Sequence, residues 1–186
     1  MVRVLKLEKN QGKAEATRFG LQKILDNNKG IELVGYLDAD TSIEEQDVNR
    51  LLSKARECKF DVVMGSRVKL LGRQISRSPA RHIIGRLVVT FLSIGISQFP
   101  YDSQCGIKIF LATNDLKRLL AEPFKTRWFL DLEIMTRLGK PSDLKIWEEP
   151  LYKWAESAGS KIRLTQYPSI VREIFNIKRI INKKWI

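Results

Sequence analysis

An apolar run, Ile31-Glu32-Leu33-Val34-Gly35-Tyr36-Leu37, stops abruptly at Asp38-Ala39-Asp40, two carboxylates separated by a single residue. The run has the length and apolar content of a buried strand, and Thr41-Ser42 with Glu44-Glu45 behind it reads as a loop feeding a helix N-terminus. The two acids are therefore expected at the carboxyl end of a strand, the edge at which open α/β sheets bind ligands. Two hard oxygen donors placed there can hold Mg²⁺ or Mn²⁺ together with substrate phosphates. A strand-end turn that uses Asp as a cap is the alternative, and the triplet alone does not separate the two.

Upstream, Val2 and Val4 suggest an opening strand closed by Asn10-Gln11-Gly12, followed by a helix from about Lys13 to Asp26 that ends at Asn27-Asn28-Lys29-Gly30. A glycine turn before a helix can aim backbone N–H groups and Lys13 at a phosphate, although an ordinary turn has the same look. Downstream, Glu44 to about Glu57 reads as a helix with Val48, Leu51, Leu52 and Ala55 inward, and Phe60 to Met64 as a further buried strand. Strands alternating with helices predict an α/β fold with a mostly parallel sheet. A chain of 186 residues at 44% hydrophobic content suits one domain, spanning 1–186.

Lysine and arginine outnumber aspartate and glutamate 33 to 21, a net charge of +12 that favours anionic partners. Charge alone does not choose among nucleotides, lipid surfaces and nucleic acid, but no nucleic-acid motif accompanies it. Two cysteines, Cys58 and Cys105, make no disulfide framework, and no apolar segment reaches the roughly 20 residues that span a bilayer. The expectation is a reduced, cytosol-facing protein that can lie on a membrane. From Val62 to Tyr101 there is no acidic residue; Arg67, Lys69, Arg73, Arg77, Arg81 and Arg86 precede the apolar Leu87 to Ile96. Such a segment, about 78–98, fits an interfacial helix, with a buried helix behind a solvated basic loop as the alternative. His82, within it, is expected on a helix surface. The tail, about 166–184, reads as a basic amphipathic helix for a membrane surface or for the protein core.

Tyr101 to Phe110 is a polar turn leading into a strand, with Asp102 either capping it or facing a site. Arg127 to Met135 begins a helix carrying Asp131 and Glu133, which at a separation of two do not share a face, so at most one is expected to point into a site. Leu144 to Glu149 reads as a strand ended by Pro150, and Trp154 leads to Gly159-Ser160-Lys161, which lacks the glycine spacing of a P-loop.

In their order these pieces resemble the family 2 glycosyltransferases, and within them the polyprenyl-phosphate sugar transferases similar to dolichyl-phosphate glucose and mannose synthases. The resemblance rests on Asn10-Gln11-Gly12-Lys13, Asp38-Ala39-Asp40, Gly65-Ser66-Arg67, Gly85-Arg86, Asp102 to Lys108, Arg127 to Glu133, and Trp154 with Gly159-Ser160-Lys161. It implies a GT-A-like fold, a UDP- or GDP-linked sugar as donor, a polyprenyl phosphate as acceptor, and a peripheral place on the cytosolic face of a membrane. By the same resemblance Asp38 and Asp40 hold the metal and, with Arg67 and Asp131, form the catalytic set. Asn10, Lys13, Arg81, Arg86, Asp102, Gln104, Glu133, Trp154 and Lys161 contact donor or acceptor. The family's first strand-helix-strand unit, with its Pro-x-Tyr-Asn-Glu turn, has no counterpart here. The expectation is an N-terminally truncated fold with an unpaired strand edge, a liability for self-association, and weak donor binding by this chain alone. Rival readings are an inactive glycosyltransferase remnant, a non-catalytic basic membrane or nucleic-acid module, and a nucleotidyltransferase.

Overall fold

The computed structural model describes residues 4–156 and 166–186. The elements run α1 (Lys13–Asn27), β1 (Leu33–Leu37), α2 (Glu45–Cys58), β2 (Val62–Ser66), β3 (Gln74–Ser76), α3 (Pro79–Ser93), β4 (Ile107–Leu111), α4 (Asn114–Ala121), α5 (Leu130–Leu138), β5 (Ile146–Pro150), β6 (Lys153–Ala155) and α6 (Tyr167–Trp185). The main sheet has the order β1-β4-β2-β5, and β3 and β6 form a small parallel pair beside it.

The α/β class holds, with helices on the sheet, and β1, β2 and β5 all run in one direction, with β4 as the one reversed strand of the main sheet. β4 runs antiparallel to both β1 and β2, and only β2 with β5 is a parallel pair in the main sheet. β1, α2 and β2 still make the expected parallel crossover unit; β4, arriving later in the chain, fills the gap between the two strands. Alternating strands and helices report direction only for neighbours in sequence, and β4 is not one.

Among the described residues the opening strand does not form: residues 4–7 join no ladder and Val4 is 89% exposed, while Val2 lies outside them. An extended run without a neighbour has nothing to pair its backbone with. β1 is accordingly an edge strand, bonded only to β4 among the described residues. Pro150, expected to end its strand, is instead the last residue of β5, a position open to it because β5 is also an edge.

Strand alternation divides the core. Val34, Val62, Met64 and Phe110 face α1, α4, α5 and α6, whereas Val63, Ile107 and Ile109 face Leu51 and Ala55 of α2. The basic tail is docked on the first of these cores, with Ile177 and Ile181 fully buried and the Trp185 indole donating to the Gly139 carbonyl at 2.7 Å. Lys178 donates to the carbonyls of Leu92 and Ile94 at 3.0 and 2.6 Å, which closes the C-terminal end of α3. No described helix is long and apolar enough to cross a membrane.

Two glycines should respond in opposite ways to alanine. A Cβ on Gly35 would lie 2.4 Å from the Lys108 carbonyl oxygen, whereas Gly20, inside α1, has nothing within 4 Å. Gly35→Ala is expected to lower stability by about 1–3 kcal/mol or more, and Gly20→Ala to raise it by roughly 0.5–1 kcal/mol. Urea midpoints of the two variants check both signs.

Candidate active site

Because β4 is antiparallel to both its neighbours, the turn that enters it, residues 101–106, lies against the carboxyl ends of β1 and β2. At the β1 end the Asp38 N–H donates to the Gly106 carbonyl at 2.7 Å. The Asp38 carboxylate passes so close to Gly106 that a Cβ there would lie 2.7 Å from Oδ2, so the acid needs a glycine beside it. Lys13, in the first turn of α1, reaches both Asp38 oxygens at 2.6 and 2.9 Å. It is delivered by the Asn10-to-Gly12 turn, in which the Asn10 side chain accepts the Gly12 N–H at 3.0 Å and Gly12 takes φ +86°. Asp40 Oδ1 accepts the Ser42 N–H at 3.2 Å. Lys13, Thr17, Tyr36, Asp38 and Asp40 line an open cleft of ≈ 380 Å³. Among the described residues no three His, Cys, Asp or Glu side chains converge as a metal-ligand group.

At the β2 end stands Arg67. Asp102 accepts its backbone N–H at 2.9 Å and its guanidinium at 2.7 Å through both carboxylate oxygens, and the Trp154 ring lies 5.1 Å from the guanidinium carbon. Burial raises the Asp102 carboxyl, but the Arg67 bonds outweigh it and hold it below the ordinary range. Burial likewise opposes the Arg67 charge and is overcome by Asp102. Trp154 is thus a buried wall behind Arg67. Glu148 accepts the N–H groups of Tyr101 and Asp102 at 2.6 and 2.9 Å, and burial pushes its carboxyl up.

The arginines of the acid-free segment divide into paired and unpaired. Arg81 pairs with Glu156, which satisfies it locally. Arg86 lies 3.9 Å over the Tyr101 ring and donates to the Tyr101 carbonyl at 2.6 Å. Arg77, which the sequence did not single out for the site, threads past Gly85, where a Cβ would sit 2.9 Å from its Nη2. Burial and then the nearby Arg67 lower the Arg77 guanidinium, against the opposing pull of Asp102 and Glu156. Among the described residues no carboxylate forms an ion pair with Arg77 or Arg86.

The two acids of α5 separate as their spacing requires. Asp131 pairs with Lys108 at 2.7 Å and accepts the Tyr36 hydroxyl; Lys108, fully buried, also donates to the Cys105 carbonyl at 2.7 Å. Burial and the Asp131 charge push the Tyr36 phenol well up, so it remains a donor. Glu133, expected to contact substrate, has its carboxylate engaged within the protein. Its carboxylate is 1% exposed and consumed by the backbone N–H groups of Lys125 and Thr126, the Thr126 hydroxyl and Arg137, since it faces the turn before the helix. Gln104 is exposed on the 101–106 turn. His82 is exposed on α3, as expected. Burial pushes the Cys105 thiol up to about 11, leaving it inert near neutral pH. Lys161 and its Gly-Ser-Lys turn lie outside the described residues. Besides Arg77, the residues missed were Lys108 and Glu148. A lone lysine inside Ile107-Lys108-Ile109-Phe110 was the available signal, because a buried strand does not keep an ammonium without a partner.

Residues 1–118 match the family model described as glycosyl transferase family 2. The chain belongs to the family 2 glycosyl transferases. It is 29% identical over 184 residues to a dolichyl-phosphate beta-glucosyltransferase of Dictyostelium discoideum, a match covering 96% of this chain and 53% of that protein. A Drosophila melanogaster protein of the same name is 30% identical over 172 residues, covering 87% of this chain and 49% of the relative. The glycosyltransferase AglD of Haloferax volcanii is 24% identical over 165 residues, 89% of this chain and 25% of that protein. This family 2 chain spans about half the length of the two dolichyl-phosphate beta-glucosyltransferases.

Removing one member of the Arg67–Asp102 pair strands the other. Asp102→Ala is expected to cost about 3–5 kcal/mol at neutral pH. A carboxyl held low stabilises the fold above its ordinary value of 3.8, and that contribution is lost as pH falls through the lower folded value. Glu148, held high, has the opposite sign and is relieved on acidification. The stability gap between wild type and Asp102→Asn should therefore be widest near pH 7 and close in acid, as read from urea unfolding at a series of pH values.

Proposed function

We propose that this chain moves a sugar from a UDP- or GDP-linked donor to a polyprenyl phosphate at a membrane surface, with Mg²⁺ or Mn²⁺ at Asp38 and Asp40. One observation carries the reading: a carboxylate pair and two arginines without carboxylate partners meet around a single turn, residues 101–106, which suits a reaction between two phosphate-bearing substrates. The names of the Dictyostelium and Drosophila relatives support the acceptor class.

The donor set fits a hard divalent ion. Two carboxylates at a strand end leave most of the coordination sphere to phosphate oxygens and water, the arrangement Mg²⁺ favours. When bound, the ion supplies Lewis-acid stabilisation of the departing nucleoside diphosphate. Lys13, now on Asp38, is near enough to turn to the same phosphates. Arg67 is braced by Asp102 and Trp154, so its guanidinium keeps one orientation at the mouth of the site. Arg77 and Arg86 take the acceptor phosphate. An oxygen of that phosphate attacks the anomeric carbon as the bond from that carbon to the diphosphate oxygen breaks, and the pair of electrons leaves with the nucleoside diphosphate. The acceptor is already an anion near neutral pH and needs no strong base. Asp131, locked by Lys108 and Tyr36, then acts as a positioning group that holds Tyr36 beside the cleft rather than as a proton acceptor.

With UDP-glucose or GDP-mannose and a polyprenyl phosphate, the purified protein should release nucleoside diphosphate and no pyrophosphate. Asp40→Asn should abolish that metal-dependent release, and unchanged release in the variant would sink the assignment. Arg77→Ala should raise the KM for polyprenyl phosphate by roughly 30-fold, the loss of one charge-assisted contact, with the donor KM little changed. Gly85→Ala, which displaces Arg77 without removing it, should move the same constant in the same direction.

A further inference from the structure

We infer that α3 and α6 together form a docking face for an anionic phospholipid bilayer, with Phe175 as its anchor. The inference deepens the membrane-surface part of the proposed function, and it is tested by lipid binding without any turnover.

The face is built from two rows that meet. On α3, Ile84, Leu87 and Phe91 follow one another at i, i+3 and i+7 and therefore share a side of the helix. Ile84 is 59% and Leu87 65% exposed, although both are large and aliphatic. On α6, Val171 and Phe175 stand at i and i+4 and are 50% and 60% exposed. The rows join where the Phe91 and Phe175 rings meet edge to face, centroids 5.6 Å apart. Neither helix lacks a core-facing side: Leu92, Ile177 and Ile181 are buried within 1% of complete. The exposed row is thus a second apolar side, on helices whose first apolar side is already used.

Charge selects the partner. Arg172, Phe175 and Arg179 run i, i+3, i+7, so the ring is flanked along the helix by two exposed guanidinium groups. From Val62 to Tyr101 there is no acidic residue, and α6 has only Glu173. The Glu173 carboxylate is turned inward, where it accepts the N–H groups of Arg127 and Trp128, each at 2.9 Å. An apolar ridge edged by cations, with the one acid of α6 turned to backbone N–H groups and Glu156 beside α3 paired with Arg81, matches an anionic head-group layer over acyl chains. α3 carries Gly85 and Arg86 toward the site on its other side, so the bilayer contact and the arginine cluster are two sides of one helix.

The test is co-sedimentation of the purified chain with phosphatidylcholine vesicles containing about one third phosphatidylglycerol. Binding is expected, weakening with added salt and falling strongly on vesicles of phosphatidylcholine alone. Phe175→Ser with Leu87→Ser should weaken it at least tenfold while the urea transition stays cooperative with a midpoint shifted only slightly, since both side chains are mostly exposed and only the Phe91 contact is lost. Arg172→Ala with Arg179→Ala should weaken it about fivefold per charge. The control is Arg56→Ala with Lys59→Ala, which removes two exposed cations from the α2 side of the sheet and should change nothing. Equal loss in that control would reduce the effect to net charge and overturn the assignment of a face. Absence of vesicle binding, or a dimer that Phe175→Ser converts to monomer without any vesicle effect, would overturn it as well. Vesicle binding without sugar transfer would refute the proposed reaction and leave the docking face standing.

Discussion

The site depends on the direction of one strand. β4 is antiparallel to β1 and β2, so its amino end meets their carboxyl ends. Each of those ends carries a charge, the acid pair after β1 and Arg67 after β2, and the turn entering β4 touches both. Within a few residues that turn provides the acid that fixes Arg67, the carbonyl that takes the Asp38 N–H, the glycine that admits the Asp38 carboxylate, and then Lys108. Had β4 run parallel, these groups would lie at opposite ends of the sheet.

Around that turn the charges are of two kinds. Arg67 with Asp102, Arg81 with Glu156 and Lys108 with Asp131 are matched pairs, and two of the three are buried. Buried pairs contribute little net stability but hold their members in fixed positions. Arg77 and Arg86 are held by other means, a glycine notch and an aromatic face. Their positive charge is therefore left for a ligand, and burial is the main reason the Arg77 guanidinium is lowered. A surface that fixes some cations with anions and others with shape separates scaffold from binding capacity.

Much of this could be read from sequence because it is local. The apolar run ending at Asp38, the helices α1, α2 and α4, and the inability of Asp131 and Glu133 to share a face all follow from periodicity over a few residues. What failed was non-local. The insertion of β4, reversed, between β1 and β2 joins residues some 70 apart in the register, such as Tyr36 with Lys108. The opening strand failed because strand propensity without a partner forms no ladder. The inward placement of Glu133 was not legible because a carboxylate near a predicted site and one that caps a preceding turn have the same local sequence. Arg77 escaped notice among six cations that look alike on paper and differ only in what lies beside them.

The docking of α6 bears on where a functional unit of this protein can be cut. The family match ends at residue 118, yet Ile177, Ile181 and Trp185 fill the same core as Leu116 and Leu120. Lys178 meanwhile supplies the donors that α3 lacks at its last turn. A fragment trimmed to the matched residues would keep Asp38, Asp40, Arg67, Arg77, Arg86 and Asp102 but lose Asp131, Glu148 and Glu156, together with the helices that complete the core. Sequence similarity and the folding unit thus have different boundaries here, and the helix beyond the match is a structural part of the fold rather than an appendage to it.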